Sequence, residues 1–268
     1  MPLPAPKSAH VAVVTGASSG IGAAIARELS RRGHTLVLVS RSADRLQALA
    51  DEVPTPAYVV VADLTQRESR AGLLSELEGR GLTPQILVNN AGFSTLGPVH
   101  RTDPERELRM IEVDVATVAD MCGRFLPGMV ERGSGAVLNV ASTAAFQPLP
   151  GQAASGAAKA FVLSYTRSIS AELKGTGVTA TVLCPGPVDT GFGQTAGFTE
   201  QEANDALPAF MWLPVTEVAL AAVDGMDKGS LVVIPGLANR AGAALAHLMP
   251  KRLLSPILAK NHPGLRRH

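Results

Sequence analysis

The sequence is poor in cysteine and almost neutral in charge. Its two cysteines, Cys122 and Cys184, stand far apart without a CxxC pair, and its six histidines never adopt metal-ligand spacing. Disulfide scaffolds and zinc sites are therefore excluded. Because 24 Lys and Arg are balanced by 23 Asp and Glu, the net charge of +1 argues against a nucleic-acid partner.

Long hydrophobic runs are also missing. No stretch reaches the roughly 18 apolar residues that a membrane-spanning helix requires. The opening residues, Met1 to His10, lack the apolar centre and the cleavage pattern of a signal peptide. We therefore expect a soluble, cytoplasmic protein.

Acidic residues are absent from one end of the chain. Residues 228–268 hold seven Lys and Arg and no Asp or Glu, which leaves 17 of the 24 basic residues against all 23 acidic ones before position 228. The body is therefore acidic and the tail basic.

The remaining composition suits one α/β domain, because 268 residues with 46% hydrophobic and 18% charged side chains can bury a sizeable core. Short apolar runs alternate with segments of helical periodicity. This pattern predicts strands at 11–14, 35–39, 57–61, 85–89, 135–140, 178–183 and 231–234, and helices at 21–29, 44–52, 67–80, 104–131, 153–174 and 215–227.

The predicted strands are continuous apolar runs, such as Leu36–Val39 and Val59–Val61, instead of alternating patterns. Both faces of the sheet should then be buried, as in a doubly wound parallel sheet of seven strands. No linker-like change in composition precedes residue 236. We therefore expect a single domain over 1–268, with its core at 10–236 and a basic segment at 237–268.

Four motifs follow predicted strands. Thr15–Gly22 (TGASSGIG) joins the first strand to a helix, where glycines allow close approach and the helix N-terminus favours phosphate. Asn89–Gly92, Asn139–Ser142 and Pro185–Thr190 follow the fourth, fifth and sixth strands. With these motifs the chain resembles the short-chain dehydrogenase/reductase family over residues 10–236. The resemblance implies a Rossmann fold and oxidoreductase chemistry with a nicotinamide dinucleotide.

The resemblance also implies a set of cofactor contacts. Gly16, Ser18, Gly20, Ile21 and Gly22 would surround the pyrophosphate and adenosine; Asp63 and Leu64 would meet the adenine; Asn90, Ala91, Gly92 and Lys159 would line the cofactor; and Pro185, Gly186, Val188 and Thr190 would flank the nicotinamide. Structural roles are also available, since Asp63 can serve as a helix N-cap and Asn90 as a turn residue.

The end of the second strand indicates which dinucleotide binds. An acid there would bind the ribose 2′-hydroxyl, whereas a cation would meet a 2′-phosphate. Ser40 and Arg41 occupy this place, so no carboxylate opposes the phosphate and a guanidinium can fork onto it, with Ser19 as a neutral donor. We predict NADP(H) as the cofactor. The alternative is that Arg41 is solvated on the loop and contacts no ligand.

The catalytic set departs from the family. There, a Tyr hydroxyl four residues before a Lys protonates the new alkoxide, and a Ser holds the carbonyl; the spacing puts Tyr and Lys on one helix face. Lys159 matches the lysine and Ser142 the serine, but the Tyr position falls on Ser155. Ser142 precedes Ser155 by the family's usual separation, so the alignment is not shifted.

Two further features concern the proton relay. Asp114 stands where the family has an Asn, and its carboxylate is expected to pair with Lys159. The only tyrosines, Tyr58 and Tyr165, cannot replace the missing one, because Tyr58 belongs to the third strand and Tyr165 faces away from the side of the helix that carries Lys159.

Two functions remain open. One is an NADP-dependent dehydrogenase or reductase acting on a carbonyl/alcohol pair through Ser155, a water, Lys159 and Asp114, with weak activity because serine is a poorer acid than a phenol. The other is a catalytically silent NADP-binding homologue with a regulatory or assembly role. The intact Ser142 and Lys159 favour an enzyme.

The segment from Gly191 to Pro214 interrupts the alternation of strands and helices and carries the apolar residues Phe192, Phe198, Phe210, Met211 and Trp212. These either line a lid over an apolar small-molecule carbonyl or acyl substrate, or pack against the body or a second subunit. The Phe210–Trp212 string and the opening Met1–Pro6 resemble actinobacterial reductases of long acyl chains, mycolate reductase among them.

The basic segment 237–268 is predicted to form short helices broken at Pro250 and Pro256, and to serve as a docking element. It can cover the lid, pack within the homodimer or homotetramer that the family resemblance implies, or lie on an anionic membrane surface. Its apolar positions are too interrupted to predict a strong amphipathic stripe, which favours packing within the oligomer.

Overall fold

The computed structural model describes residues 3–191, 199 and 208–266. Its centre is a sheet of seven parallel strands in the order β3-β2-β1-β4-β5-β6-β7. The predicted doubly wound α/β architecture is confirmed. The strands are β1 His10–Thr15, β2 Thr35–Ser40, β3 Ala57–Val61, β4 Thr83–Asn89, β5 Gly135–Val140, β6 Val178–Leu183 and β7 Val232–Val233.

Helices cover both faces of the sheet. Successive side chains of a strand point to opposite faces, so Val11 and Val13 of β1 join one apolar core and Ala12 and Val14 join the other. The helices of the described residues are α1 Gly20–Arg31, α2 Ala43–Glu52, α3 Arg67–Gly79, α4 Pro104–Ile111, α5 Thr117–Glu131, α6 Ala153–Glu172, α7 Val215–Asp227, α8 Leu237–Leu248, α9 Lys251–Asn261 and α10 Pro263–Arg266. The first core lies under α3, α5 and α6, and the second under α1, α2 and α7.

The helix predicted over 104–131 is not continuous. A π-helical turn, Glu112–Ala116, separates α4 from α5 and contains the buried Asp114. Such a turn widens the helix by one residue and re-aims the side chains within it. The interruption therefore lies at one of the predicted site residues.

Strand β7 and the C-terminal helices also differ from the prediction. Strand β7 is shorter than the predicted 231–234. Pro250 does separate α8 from α9, but Pro256 lies inside α9 and does not break it, so the helix continues with one backbone hydrogen bond fewer.

The strand order reverses between β1 and β4, which opens a crevice at the carboxyl ends of these strands. The Gly-rich turn after β1 and the loop after β4 both begin at this point. The fold therefore places these two predicted motifs side by side. Among the described residues, no helix combines the length and the apolar character needed to cross a membrane.

Candidate active site

The Gly-rich turn after β1 leaves no room for side chains. Gly16 has φ +64°, and a Cβ there would lie 2.8 Å from Asn90 Nδ2; a Cβ on Gly22 would overlap the same amide and the Gly16 carbonyl. Gly20 also has a positive φ, of +56°. Only glycine fits at these positions.

Thr15 and Asn90 hold this turn against the end of β4. Thr15 Oγ1 accepts hydrogen bonds from the backbone N–H groups of Asn90 and Ala91, each at 3.0 Å, and donates to the Val88 carbonyl at 3.2 Å. Asn90 Nδ2 donates to the Thr15 carbonyl at 3.1 Å. Asn90 is therefore a turn residue whose amide shapes the crevice. Thr15 is its hydrogen-bond partner, a residue for which the sequence predicted no separate role.

The N-terminus of α1 faces the loop that follows β6. The Ser19 side chain does not cap the helix, so the amides of its first turn are not covered by that side chain. A Cβ added to Gly20 would lie 3.0 Å from Thr190 Cβ, which places the two predicted contact loops directly opposite each other. The turn Gly16–Gly22, which we call the glycine cradle, and the uncapped N-terminus of α1 fit a dinucleotide pyrophosphate.

Ser40 and Arg41 stand beside this cradle, because the backbone N–H of Ala17 bonds to the carbonyl of Val39 at 3.3 Å. Ser40 Oγ accepts a hydrogen bond from the N–H of Ser42 at 3.1 Å, whereas Arg41 is exposed. Arg41 thus has the freedom to meet a ligand at the end of β2.

Asp63 does not cap a helix. Its Oδ1 accepts from the N–H and hydroxyl of Thr65, at 3.0 and 2.9 Å, while α3 begins after Gln66. The neighbouring Leu64 is buried, and its carbonyl accepts hydrogen bonds from Arg70 and Thr117. Asp63 is therefore a turn residue between β3 and α3.

The loop Pro185–Thr190 is held from two sides. The Pro185 carbonyl accepts the N–H of Thr143 at 2.9 Å and the Ser142 hydroxyl at 3.5 Å. Gly186 lies so close to Asn239 of α8 that a Cβ would overlap the Asn239 amide. Asn239 Nδ2 also donates to the Met211 carbonyl at 3.0 Å. One buried amide therefore joins the C-terminal helix to this loop and to the base of the predicted lid.

Ser142 lies two residues after β5 and caps the short 3-10 turn Thr143–Phe146, with its Oγ accepting from the N–H of Ala144 at 3.1 Å. The side chain is half-buried and its hydroxyl proton reaches the Pro185 carbonyl only at the long distance of 3.5 Å. The Ser142 oxygen is thus fixed as a hydrogen-bond acceptor, while its hydroxyl proton makes only a long, weak hydrogen bond to the Pro185 carbonyl.

Lys159 and Asp114 form an ion pair in the crevice. Lys159 Nζ lies 2.8 Å from Asp114 Oδ2; the Asp114 side chain is 0% exposed and that of Lys159 is 12% exposed. Asp114 Oδ1 accepts from the N–H of Phe93 at 3.1 Å, and a Cβ on Gly92 would touch the same oxygen. Burial raises the pKa of the Asp114 carboxyl, against the lowering effects of Lys159 and the Phe93 amide.

Ser155 is buried on α6 one helical turn before Lys159. Tyr165 stacks on Phe161, with ring centroids 5.4 Å apart, and burial raises the pKa of Tyr165 to about 12. Tyr58 is exposed on β3 at the sheet edge. Neither tyrosine provides an acidic hydroxyl beside Lys159.

A polar chain that the sequence did not reveal lies next to Ser155. His262, between α9 and α10, bonds through Nε2 to Gln152 Oε1 at 3.2 Å, and Gln152 Nε2 donates to Ser94 Oγ at 2.8 Å. Gly151, with φ +85°, accommodates the His262 ring. The C-terminal segment therefore contacts the loop after β4 and the start of α6 within one chain.

Both cysteines are free, buried thiols. Burial raises the pKa of Cys122 and of Cys184 to about 12, so neither is a thiolate near neutral pH. Cys122 sits beside the buried pair Asn89 and Asn139, whose amides are joined at 2.8 Å between β4 and β5. These contacts join the ends of β4 and β5 to α5.

The described residues include only part of the predicted lid, Gly191–Pro214. Phe210 is exposed, and Met211 and Trp212 are half-buried at the base of the segment. Phe192 and Phe198 lie outside the described residues.

The family model described as short chain dehydrogenase matches residues 10–201. The chain therefore belongs to the short-chain dehydrogenase family, a class of oxidoreductases.

Individual relatives agree with this membership. An uncharacterized oxidoreductase of Staphylococcus epidermidis is 38% identical over 73% of this chain and 85% of its own length. The NADP-dependent 3-hydroxy acid dehydrogenase YdfG of Escherichia coli is 35% identical over 66% of this chain and 72% of its own. A short-chain dehydrogenase from Sphingobium yanoikuyae, solved with NADPH, superimposes with a TM-score of 0.78 at 34% identity, over 92% of this chain and 95% of that one.

Proposed function

We propose that this protein is an NADP(H)-dependent oxidoreductase that interconverts a carbonyl and an alcohol on an apolar or acyl-chain substrate, through a proton relay without a tyrosine. One observation carries the proposal. A lysine ammonium on the helix that carries Ser155 is held by a buried carboxylate, 2.8 Å away, which lies against Gly92 of the loop after β4. A buried ion pair costs free energy, and a solely structural role gives no reason to place one in this crevice.

The choice of NADP(H) rests on Arg41. The guanidinium is exposed at the end of β2, next to the cradle, and no carboxylate stands at Ser40 to repel a 2′-phosphate. The NADPH bound to the Sphingobium relative and the NADP dependence of the Escherichia coli relative agree with this choice.

When bound, the nicotinamide supplies or accepts the hydride. The chain's own residues handle the oxygen and the proton. Ser142, whose Oγ is fixed by the Ala144 amide, donates its hydroxyl proton as a hydrogen bond to the substrate oxygen. Lys159 delivers a proton to the developing alkoxide through a water that Ser155 orients.

Asp114 holds the lysine of this relay in place. Its carboxylate pairs with the Lys159 ammonium at 2.8 Å and fixes it one helical turn from Ser155 in a mostly buried site. A water-bridged ammonium replaces the phenol, and loss of a directly placed general acid typically costs about 10²- to 10⁴-fold in rate. We therefore propose slow turnover.

An apolar substrate fits the lid base. Phe210 is exposed, Met211 and Trp212 are half-buried, and Met211 is tied through Asn239 to the loop flanking the proposed nicotinamide site. These side chains offer apolar contact area to an acyl or lipid-like chain. They carry no charge that would bind an acidic substrate.

The test measures binding and turnover separately. Calorimetry with NADPH and NADH measures affinity, and a panel of apolar ketones and 3-oxoacyl esters measures NADPH oxidation by the wild type, Lys159→Ala and the exposed control Lys174→Ala. We expect NADPH binding with slow turnover that Lys159→Ala abolishes and Lys174→Ala preserves. Tight NADPH binding with no turnover on any substrate would instead support the silent dinucleotide-binding homologue.

A further inference from the structure

Helix α8 turns its larger apolar side chains outward. Leu237, Leu245 and Leu248 are 81%, 60% and 79% exposed, whereas the face that packs on the protein carries Asn239, Ala243 and Ala246. A surface helix normally shows the reverse distribution, with leucines inside and small or polar residues outside. The leucines of α8 therefore do not stabilise the fold of the described residues.

These leucines form one continuous stripe. At about 100° per residue, Leu237, Leu245 and Leu248 fall within roughly 100° of the helix circumference, together with the exposed Ala241 and Ala244. Helix α8 runs unbroken over twelve residues, so the interruption expected from the sequence affects only its junction with α9. An exposed apolar stripe of this size marks an interaction surface.

Two further exposed apolar side chains lie on elements next to α8 in the chain or packed on it. Phe210 is 73% exposed on the turn Ala209–Met211, which packs on α8: the Met211 carbonyl binds Asn239, and Met211 Cε lies 3.7 Å from a Cβ built on Gly242. Leu253 of α9 is also largely exposed. We name Leu237, Leu245, Leu248, Leu253 and Phe210 the C-terminal apolar patch.

Charge indicates what the patch binds. Arg240 and Arg252 are exposed on α8 and α9, and no Asp or Glu occurs from residue 228 to the end of the chain. A two-fold contact between two copies would bring two such basic segments together, and like charges facing each other oppose association. An anionic lipid surface complements both the cations and the leucines.

We propose that α8 and α9 form a peripheral docking surface for anionic phospholipid bilayers, with the C-terminal apolar patch inserted at the level of the headgroups. The acidic body and the basic tail orient the molecule, because the same membrane charge attracts the tail and repels the body. This interaction does not depend on turnover or on the cofactor.

The experiment uses the full chain with two kinds of vesicle, pure phosphatidylcholine and phosphatidylcholine mixed with phosphatidylglycerol. We expect co-sedimentation with the anionic vesicles only, and weaker binding at high ionic strength. The double variant Leu245→Gln/Leu248→Gln should bind at least about tenfold more weakly, since it removes two inserted leucines. The matched control Leu108→Gln/Leu220→Gln changes two exposed leucines of α4 and α7 and should bind like the wild type.

NADPH affinity monitors the fold of each variant. If the leucine variant does not fold, Arg252→Gln/Lys260→Gln tests the same surface through its charge and should also weaken binding to anionic vesicles. Equal binding to both vesicle types, or no binding to either, would overturn the proposal. So would a leucine variant that keeps its vesicle binding but shifts from dimer to monomer in sedimentation equilibrium, because the patch would then contact a second copy.

Discussion

At the scale of single residues, Asp114 places a fully buried carboxyl group in the crevice. A carboxylate with 0% side-chain exposure has lost its water, and among the described residues Lys159 and the Phe93 amide compensate for that loss. Gly92 makes this arrangement possible, because a Cβ there would touch Asp114 Oδ1. The pair therefore depends on the motif after β4 as well as on the π-helical turn that carries Asp114.

Restoring the phenol tests the relay. We predict that Ser155→Tyr raises turnover, by up to about 10²- to 10⁴-fold, because an acidic hydroxyl returns one helical turn from Lys159. NADPH oxidation with an apolar ketone measures the effect, and Ser164→Tyr, at an exposed position on the same helix, is the control. If Ser155→Tyr gains nothing but Ser155→Tyr/Asp114→Asn does, Asp114 is what holds the relay back. If neither gains, the crevice is not shaped for carbonyl chemistry.

Arg41 tests the choice of cofactor. Arg41→Ala should weaken NADPH binding by about 1.5–3 kcal/mol, or roughly tenfold or more, because a charge-assisted fork to the 2′-phosphate is lost. NADH affinity should not change, since NADH lacks that phosphate. Calorimetry measures both, and Arg45→Ala on α2 is the exposed control. Equal wild-type affinities for NADPH and NADH, unaffected by Arg41→Ala, would contradict the assignment.

At the scale of elements, strands were predictable and the π-helical turn was not. The run Leu36–Val39 is apolar throughout, which only a strand buried on both faces requires, and β2 spans Thr35–Ser40. Residues 104–131 show helical periodicity on both sides of Glu112–Ala116, and a single extra residue in one turn is too short an interruption to be recognised from that periodicity. The pairing of Asp114 with Lys159 was still predictable, since it follows from the motif alignment and not from helix geometry.

The contact of His262 with Gln152 joins residues 110 positions apart, and no motif connects them. The N–H of Gly264 donates to His262 Nδ1, so Nε2 carries the proton and donates to Gln152. This pattern requires the neutral ring. Burial lowers the pKa of His262 below its usual 6.5, as a site for a neutral imidazole should.

We predict a pH-dependent cost for His262→Ala. A folded-state pKa below the unfolded value means that the stabilisation is complete above about pH 6.5 and is lost as pH falls through the folded pKa. His262→Ala should therefore lower the free energy of unfolding by about 1 kcal/mol at pH 8 and by less at pH 5. Urea unfolding at both pH values measures this, with exposed His100→Ala as control. A loss that is larger at pH 5 would contradict the tautomer.

At the scale of the whole molecule, the C-terminal segment has two faces with different tasks. Its inner face carries Asn239 and His262, which contact the loop after β6 and the start of α6. Its outer face carries the C-terminal apolar patch. Composition alone indicated a basic docking segment, but it could not separate these faces, because which residues of α8 face outward depends on how the helix packs on Gly186 and Met211.

Two truncations separate the contributions of the inner face. Ending the chain after Met249 removes α9 and α10 with His262 but leaves Asn239 in place. We expect this variant to lose several degrees in Tm and to keep its NADPH affinity within about threefold, because the loop Pro185–Thr190 retains its support. Ending the chain after Leu237 removes Asn239 as well, which frees Gly186 and the Met211 carbonyl. NADPH should then bind at least about tenfold more weakly.

The point variant Asn239→Ala links these truncations to one side chain. Because it leaves α8 in place and removes only the amide, it should weaken NADPH binding in the same direction as the longer truncation, with a smaller loss in Tm. Thermal unfolding and calorimetry on the three variants provide the comparison. If the truncation after Met249 abolished NADPH binding while Asn239→Ala left it intact, the cofactor loop would depend on the His262 contact and not on Asn239.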